Sequence, residues 1–302
     1  MTSKFDYVKH RKYYFLFSGI LIIAGIISLL SMGLNLGVDF KSGSRVQVAI
    51  GKTFSENEVA QTVTKIGLNP GSVTTAGDKK DLAVIQFPET ITKDQYAKLT
   101  NEMKSKYGNN VDLTESTVNP MVSQELAKSA LYSVLIASVG IVIYITIRFE
   151  FKFAISGILA LFHDVFLVLT MFSLFRIEVD LPFIAAILTI VGYSIHDNII
   201  IFDRIRDNLK HTKLKTTQDV EDLVNKSIRS TIVRSINTVI TVLITALALY
   251  IFGGESIRNF MLALLIGLTF GAYSSIFIAS QIWVQLKENE IKKKKLAPSK
   301  QA

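Results

Sequence analysis

The chain has 302 residues, 49% hydrophobic and 19% charged, with a net charge of +8. That apolar share is high for a soluble protein. Zero cysteines exclude disulfides, thiolate metal sites and cysteine catalysis, and no Gly-x-x-x-x-Gly-Lys-Ser/Thr loop is present to cradle ATP phosphates, so any work draws on an ion gradient or a partner.

Residues 1–12 form a flank carrying Lys4, Lys9, Arg11 and Lys12, and the apolar run 13–33 is long enough to cross a bilayer. It continues into Asn35-Leu36-Gly37-Val38-Asp39-Phe40 with no Ala-x-Ala-like site, which reads as a retained span rather than a signal peptide. Residues 34–128 are polar, mixed and about the size of a small domain. Arg45–Ile50 alternates as a strand, and Ser55-Glu56-Asn57-Glu58 is a capping box opening a helix that stops near Gly67. Ser72–Thr75 and Asp81–Phe87, joined by a turn through Gly77 to Lys80, read as a hairpin. Thr92-Lys93-Asp94-Gln95 opens a second helix reaching about Tyr107, before a strand Val111–Thr114. The order β-α-β-β-α-β predicts a ferredoxin-like α+β domain, read either as a spacer or as a surface for a translocating chain or a partner's domain.

Five further apolar windows follow within 129–286, at 129–147, 153–175, 181–202, 232–251 and 260–286, so the fold class is a polytopic α-helical membrane protein with six spans. Basic residues fill the N-terminal flank, the loop 203–231 and the tail 287–302, whereas the short loops after the third and fifth spans hold only Arg176 and Arg258, each offset by acid. The positive-inside rule therefore puts both termini in the cytoplasm and residues 34–128 outside it. The positive charge reads as topology and attraction to anionic lipid, with no nucleic-acid partner.

Inside the spans the polar residues fall in stripes. Thr189, Tyr193 and Asp197 recur every four residues on span four, with His196 and Asn198 flanking the last, and Arg234, Thr238, Thr241 and Thr245 recur at helical spacing on span five. Counted from Asp203 and Arg229, Asp197 and Arg234 lie roughly 9 and 8 Å into the membrane. Equal depth makes them natural partners, either as a permanent ion pair locking the bundle or as an ion path in which Arg234 is the switching counter-charge. His163 and Asp164, mid-span on the third helix, read as a relay or as hydrogen-bonded packing. His196 reads as a modulator of Asp197 through a ring that ordinarily titrates near neutrality, or as a packing contact. Asp203, Arg204, Arg206 and Asp207 read as an interfacial cluster, and Gly267, Gly271 and Ser274–Ser275 as close helix packing.

Several stretches together resemble the SecF family of bacterial protein export: Gly37-Val38-Asp39-Phe40-Lys41-Ser42-Gly43, Asn119-Pro120 with Glu125-Leu126, His163-Asp164-Val165, Gly192–Asn198 running on through Phe202-Asp203-Arg204-Ile205-Arg206, Asn225–Thr238, Phe252-Gly253-Gly254 and Gly271–Ser275. The resemblance implies half of a resistance-nodulation-division type of transporter. SecD would supply the other six spans, SecYEG would be the channel, and YajC and the substrates of SecA-dependent export would be further partners. It also implies a late, ATP-independent pull driven by protons, or alternatively sodium ions, with no other cofactor, no metal and no enzymatic step. Asp197 takes the position of the family's transport aspartate and Arg234 that of its arginine. His196 stands where Asn is usual and Ser42 where Gly is usual. The rivals are an exporter of small molecules or lipids from the same superfamily, and an intramembrane aspartyl protease in which Asp164 and Asp197 share a proton.

Overall fold

The computed structural model describes residues 5–77 and 80–296. The first span is α1 (Arg11–Ser31). A two-residue strand β1 (Asn35–Leu36) and one helical turn α2 (Val38–Lys41) then lead into the domain: β2 (Gly43–Ala49), α3 (Glu56–Lys65), β3 (Ser72–Ala76), β4 (Leu82–Phe87), α4 (Lys93–Tyr107) and β5 (Asp112–Val118). The sheet order is β3-β4-β2-β5 with every pair antiparallel, which is consistent with the split motif that the element order predicts. Val46, Val48 and Ile85 alternate onto one face and bury against Val59 and Val63 of α3 and Leu99 and Met103 of α4. The turn predicted through Gly77 to Lys80 includes residues 78 and 79, which lie outside the described residues.

The two predicted capping boxes part ways. Thr92 and Gln95 exchange both bonds at the start of α4, whereas Ser55 makes no side-chain cap bond. Its intended partner Glu58 turns instead to Lys106 of α4, at 2.9 Å, so a bridge between helices replaces the local cap.

Beyond the domain come α5 (Pro120–Arg148), α6 (Phe151–Leu174), a two-residue β6 (Glu178–Val179), α7 (Leu181–Lys210), α8 (Thr217–Phe252), α9 (Glu255–Ser274), a π-helical turn Ser275–Ala279 and α10 (Ser280–Leu296). Among the described residues six helices are long and apolar enough to cross a membrane, α9 and α10 counting as one. Four of the predicted spans lie inside longer helical stretches, while 13–33 and 153–175 overrun the ends of α1 at Ser31 and α6 at Leu174. The predicted domain end at 128 moves back to Val118, because Asn119 caps α5 at Met121 N–H and Pro120 supplies a helix-compatible first turn. The predicted loop 203–231 is almost wholly helix, since α8 starts at a Thr216–Asp219 capping box and only residues 211–216 connect it to α7.

About half of the apolar window is buried in α6, α7 and α9–α10 (56%, 50% and 56%), against 17%, 11% and 17% in α1, α5 and α8. Three helices therefore form the interior and three form the outside. The interior holds two apolar clusters, one around Phe153, Phe202, Trp283 and Val224, the other around Phe172, Phe183, Ile190 and Leu264. The N-terminal segment is pinned to the first: Asn225 accepts from the Tyr7 and Val8 N–H groups, and Arg11 pairs with buried Glu288 at 2.7 Å. At the other end β1 pairs in parallel with β6, Asn35 opposite Glu178 and Leu36 opposite Val179, which ties the base of the domain to the loop between α6 and α7.

Candidate functional site

Between the two apolar clusters lies a polar layer built by α1, α6, α7 and α9. Asp164 of α6 is fully buried, at 0% exposure, so each carboxylate oxygen needs a donor. Ser194 of α7 and Ser274 of α9 both donate to its Oδ2, at 2.6 and 2.7 Å. His163 Nδ1 lies 3.0 Å from its Oδ1. The other ring nitrogen, Nε2, lies 3.0 Å from Ser18 Oγ of α1. Ser18 lies 3.3 Å from the Tyr273 hydroxyl, which donates to the Tyr14 carbonyl. The His163 and Asp164 expected as relay or packing are thus the centre of a six-side-chain network.

Asp197, one turn further along α7, is buried to 3% exposure, and its Oδ1 has no hydrogen-bond partner. The adjacent Asn198 is buried with neither amide atom bonded. Asp164 and His196 are close enough for their charges to act on Asp197. Asp164 makes its bonds to serines and histidine and not to Asp197, so the two carboxylates share no hydrogen bond.

The expected pairing of Asp197 with Arg234 is not formed. Arg234 is exposed on α8, and among the described residues it makes no salt bridge. Depth along two helices does not fix azimuth: the inward side of α8 here is Thr231, Ser235 and Val239, and Arg234 is rotated off it by about 100° from Ser235. The rest of its stripe behaves alike. Thr241 and Thr245 are exposed and Thr238 half-buried, and each hydroxyl donates to a carbonyl three or four residues back. On α7 the stripe splits, since Thr189 is exposed and bonded to Ala185 O, Tyr193 is half-buried and only Asp197 is interior. Thr189, Tyr193, exposed His196 and Thr238 line an open groove of about 380 Å³ between α7 and α8. A polar groove and an arginine on the outer surface of a bundle at membrane depth call for a covering partner.

Of the four residues read as an interfacial cluster, Asp203 pairs with Arg206 at 2.9 Å and reaches Arg148 of α5 at 3.7 Å, whereas Arg204 donates to Ser230 and Asp207 pairs with Lys210. What sequence reasoning missed is the serine and tyrosine set. Ser18 lay in no motif, Ser194, Tyr273 and Ser274 lay inside family-like stretches without a role of their own, and Ser274 read as a small packing residue. The signal available was a hydroxyl within three separate apolar spans, at Ser18, Ser194 and the Tyr273–Ser274 pair.

A six-span half bundle, with an α+β domain between spans one and two and a polar flank left open, defines a membrane-embedded subunit of a larger transporter. The family model described as "Protein export membrane protein SecD/SecF, C-terminal" matches residues 98–289, and the SecD/SecF GG motif model matches 27–53. The chain belongs to the SecD/SecF family. It is 48% identical to the protein translocase subunit SecF of Alicyclobacillus acidocaldarius over 97% of this chain and 96% of that one. It is likewise 48% identical to the SecDF subunit of Bacillus subtilis, over 96% of this chain and 39% of the longer relative. The crystal structure of SecDF from Thermus thermophilus superposes with a TM-score of 0.85 at 30% identity, over 94% of this chain and 39% of that one.

Proposed function

We propose that the chain is the SecF-type half of a proton-driven protein-export assembly, and that a SecD-type partner supplies the spans that cover the α7–α8 flank. The observation that carries this reading is Asp197, a buried carboxylate with an unpartnered oxygen beside an open polar groove. A carboxyl in that setting binds a proton when no counter-charge is near and gives it up when one approaches. Arg234 keeps its charge throughout and is the switching counter-charge. In the present arrangement it stands away from Asp197, which corresponds to the proton-loaded side of the cycle. Sodium is the alternative coupling ion. His196, on the groove wall, tunes the site. The identity to SecF and SecDF relatives over nearly the whole chain supports the partner and the task.

In this scheme the assembly sits in the bacterial cytoplasmic membrane with both termini cytoplasmic. The α+β domain acts outside on the emerging polypeptide, SecYEG is the channel served, YajC and SecA-dependent substrates complete the system, and the basic ends meet anionic lipid. Asp197→Asn keeps the shape and loses the titration. Proton-driven export per assembled complex falls at least tenfold while co-purification with the SecD-type partner is unchanged. Full export by that variant in cells lacking the wild-type chain overturns the ion-path role.

A further inference from the structure

The polar layer around Asp164 can be counted hydrogen by hydrogen, and the count leads to a second proton-binding site. Tyr273 has one hydroxyl hydrogen, and it goes to the Tyr14 carbonyl. The 3.3 Å contact between Tyr273 and Ser18 then needs the hydrogen of Ser18. With that hydrogen spent, the 3.0 Å contact between Ser18 Oγ and His163 Nε2 needs a hydrogen on Nε2. A neutral imidazole carries one hydrogen only, so Nδ1 is bare. The remaining 3.0 Å contact, Nδ1 to Asp164 Oδ1, is a hydrogen bond only if one more proton lies there, on the ring or on the carboxyl. Ser194 and Ser274 do not relieve this demand, because both donate to the other oxygen, Oδ2.

We infer that the His163–Asp164 pair binds one exchangeable proton, whose loss is reported to α1 and α9 by rotation of the Ser18 hydroxyl. In the loaded state the pair is neutral overall, as imidazolium with carboxylate or imidazole with carboxylic acid. When the proton leaves, the ring keeps its single hydrogen on Nδ1 to hold Asp164. Nε2 becomes an acceptor, Ser18 turns its hydrogen from Tyr273 to Nε2, and the Ser18–Tyr273 bond is lost. Proton count is conserved at every step, and the only proton exchanged with the surroundings is the one released.

Two further features fit this role. No lysine or arginine pairs with Asp164 among the described residues, so a bare carboxylate there would be an uncompensated charge at 0% exposure, and the extra proton removes that cost. In addition, α9 passes into its π-helical turn immediately after Tyr273 and Ser274, and π turns inside α-helices occur mostly at functional sites. The titratable groups nearest the pair are Tyr273 of α9, whose ring lies 6.3 Å from that of His163, and Asp197 of α7, one turn beyond Ser194. The site deepens the Asp197 reading by adding a second proton-binding group in the same bundle.

The test labels the histidines of this chain with ¹⁵N, reconstitutes it in lipid vesicles with the unlabelled SecD-type partner, and follows the His163 ring between about pH 5 and 9 by solid-state NMR, assigned through its absence in His163→Gln. At low pH Nε2 carries a hydrogen; at high pH the hydrogen sits on Nδ1 alone. Tyr273→Phe removes the acceptor that holds the Ser18 hydrogen, which favours the unloaded state, so the midpoint moves down by about one pH unit, the size of one hydrogen bond. A ring that keeps a bare Nε2 across the whole range, one that shows no change with pH, or an unmoved midpoint in Tyr273→Phe overturns the proposal. The readout does not involve export, and repeating it on Asp197→Asn separates this site's failure from that of the Asp197 path.

Discussion

Asp164 and Asp197 are both buried acids in the interior of one helix bundle, yet their surroundings are opposite. Asp164 is met by two serine hydroxyls and a histidine from three helices. Asp197 has an oxygen with no partner and an unbonded Asn198 beside it. A fully satisfied polar group contributes to specifying one packing, while a partly satisfied one costs stability that only a function requires. The contrast is what the two proposed roles require, with Asp164 holding the bundle together while binding a proton and Asp197 exchanging with a group that a partner supplies.

The sharpest way to break this contrast is to remove each carboxyl and compare folding. Asp164→Ala strands Ser194, Ser274 and His163 at once, and loss of one member of a buried charged network costs about 3 to 5 kcal/mol. Asp197→Asn leaves no partner stranded and its cost stays below about 1 kcal/mol. Thermal unfolding in mild detergent, followed by far-ultraviolet circular dichroism, gives both numbers. Equal losses in the two variants would erase the distinction.

The membrane architecture was legible in the sequence because hydrocarbon imposes a length and composition that few other constraints mimic. The domain was legible because alternation and caps are local. Depth was legible too, which is how Asp197 and Arg234 were matched. Facing was not. Whether a residue at a given height looks inward depends on which neighbours pack against its helix, and α8 lies on the outside, so Arg234 points away. The Asp164 network was hidden for a related reason: its serines come from positions 145, 30 and 110 residues away from their partners, and a lone serine in an apolar run gives no sign of what it will meet. The failed Ser55 cap has the same origin, since a tertiary partner, Lys106, outcompeted a local one.

The junction between domain and bundle sharpens the comparison on a smaller scale, because it also contains a position that is satisfied poorly. Ser42 has φ +67° and ψ 172°, a region that is essentially glycine-only and costs a side chain about 1 to 3 kcal/mol. Gly43 follows with φ +114°, and a Cβ there would overlap the Phe87 carbonyl. Of these two turn positions only the first carries a side chain. Ser42→Gly removes the clash of Cβ with its own backbone at the expense of greater freedom in the unfolded chain, leaving a net gain of about 1 kcal/mol. A lower unfolding temperature for Ser42→Gly would show that the serine side chain makes up for the strain.

The smallest effect concerns Glu178, which resembles Asp197 on a smaller scale: it is half-buried in the junction, with Oε1 lacking a hydrogen-bond partner. Burial raises its carboxyl above the ordinary glutamate value, Arg45 at 3.7 Å opposes this, and Asp180 and Asp39 add to it. Asp180 is itself raised by burial, against the Phe183 N–H that it accepts. A carboxyl whose folded pKa is raised adds stability that is fully present below its unfolded value, about 4.3 for glutamate, and is lost as pH climbs through the raised folded value. The β1–β6 link is therefore tighter in acid than at neutrality, by less than about 1 kcal/mol since Arg45 offsets part of the burial. Hydrogen exchange at the Gly37 amide, which donates to the Val179 carbonyl at 2.8 Å, reports opening of that link directly. Protection of this amide, corrected for intrinsic exchange, falls from pH 5 to pH 8 in the wild-type chain. Glu178→Gln flattens most of the fall and leaves the remainder to Asp180. An undiminished pH slope in that variant would mean that Glu178 stays ionised throughout, held by Arg45, and that the poorly satisfied carboxylate in the junction does not behave as its counterpart at Asp197 does.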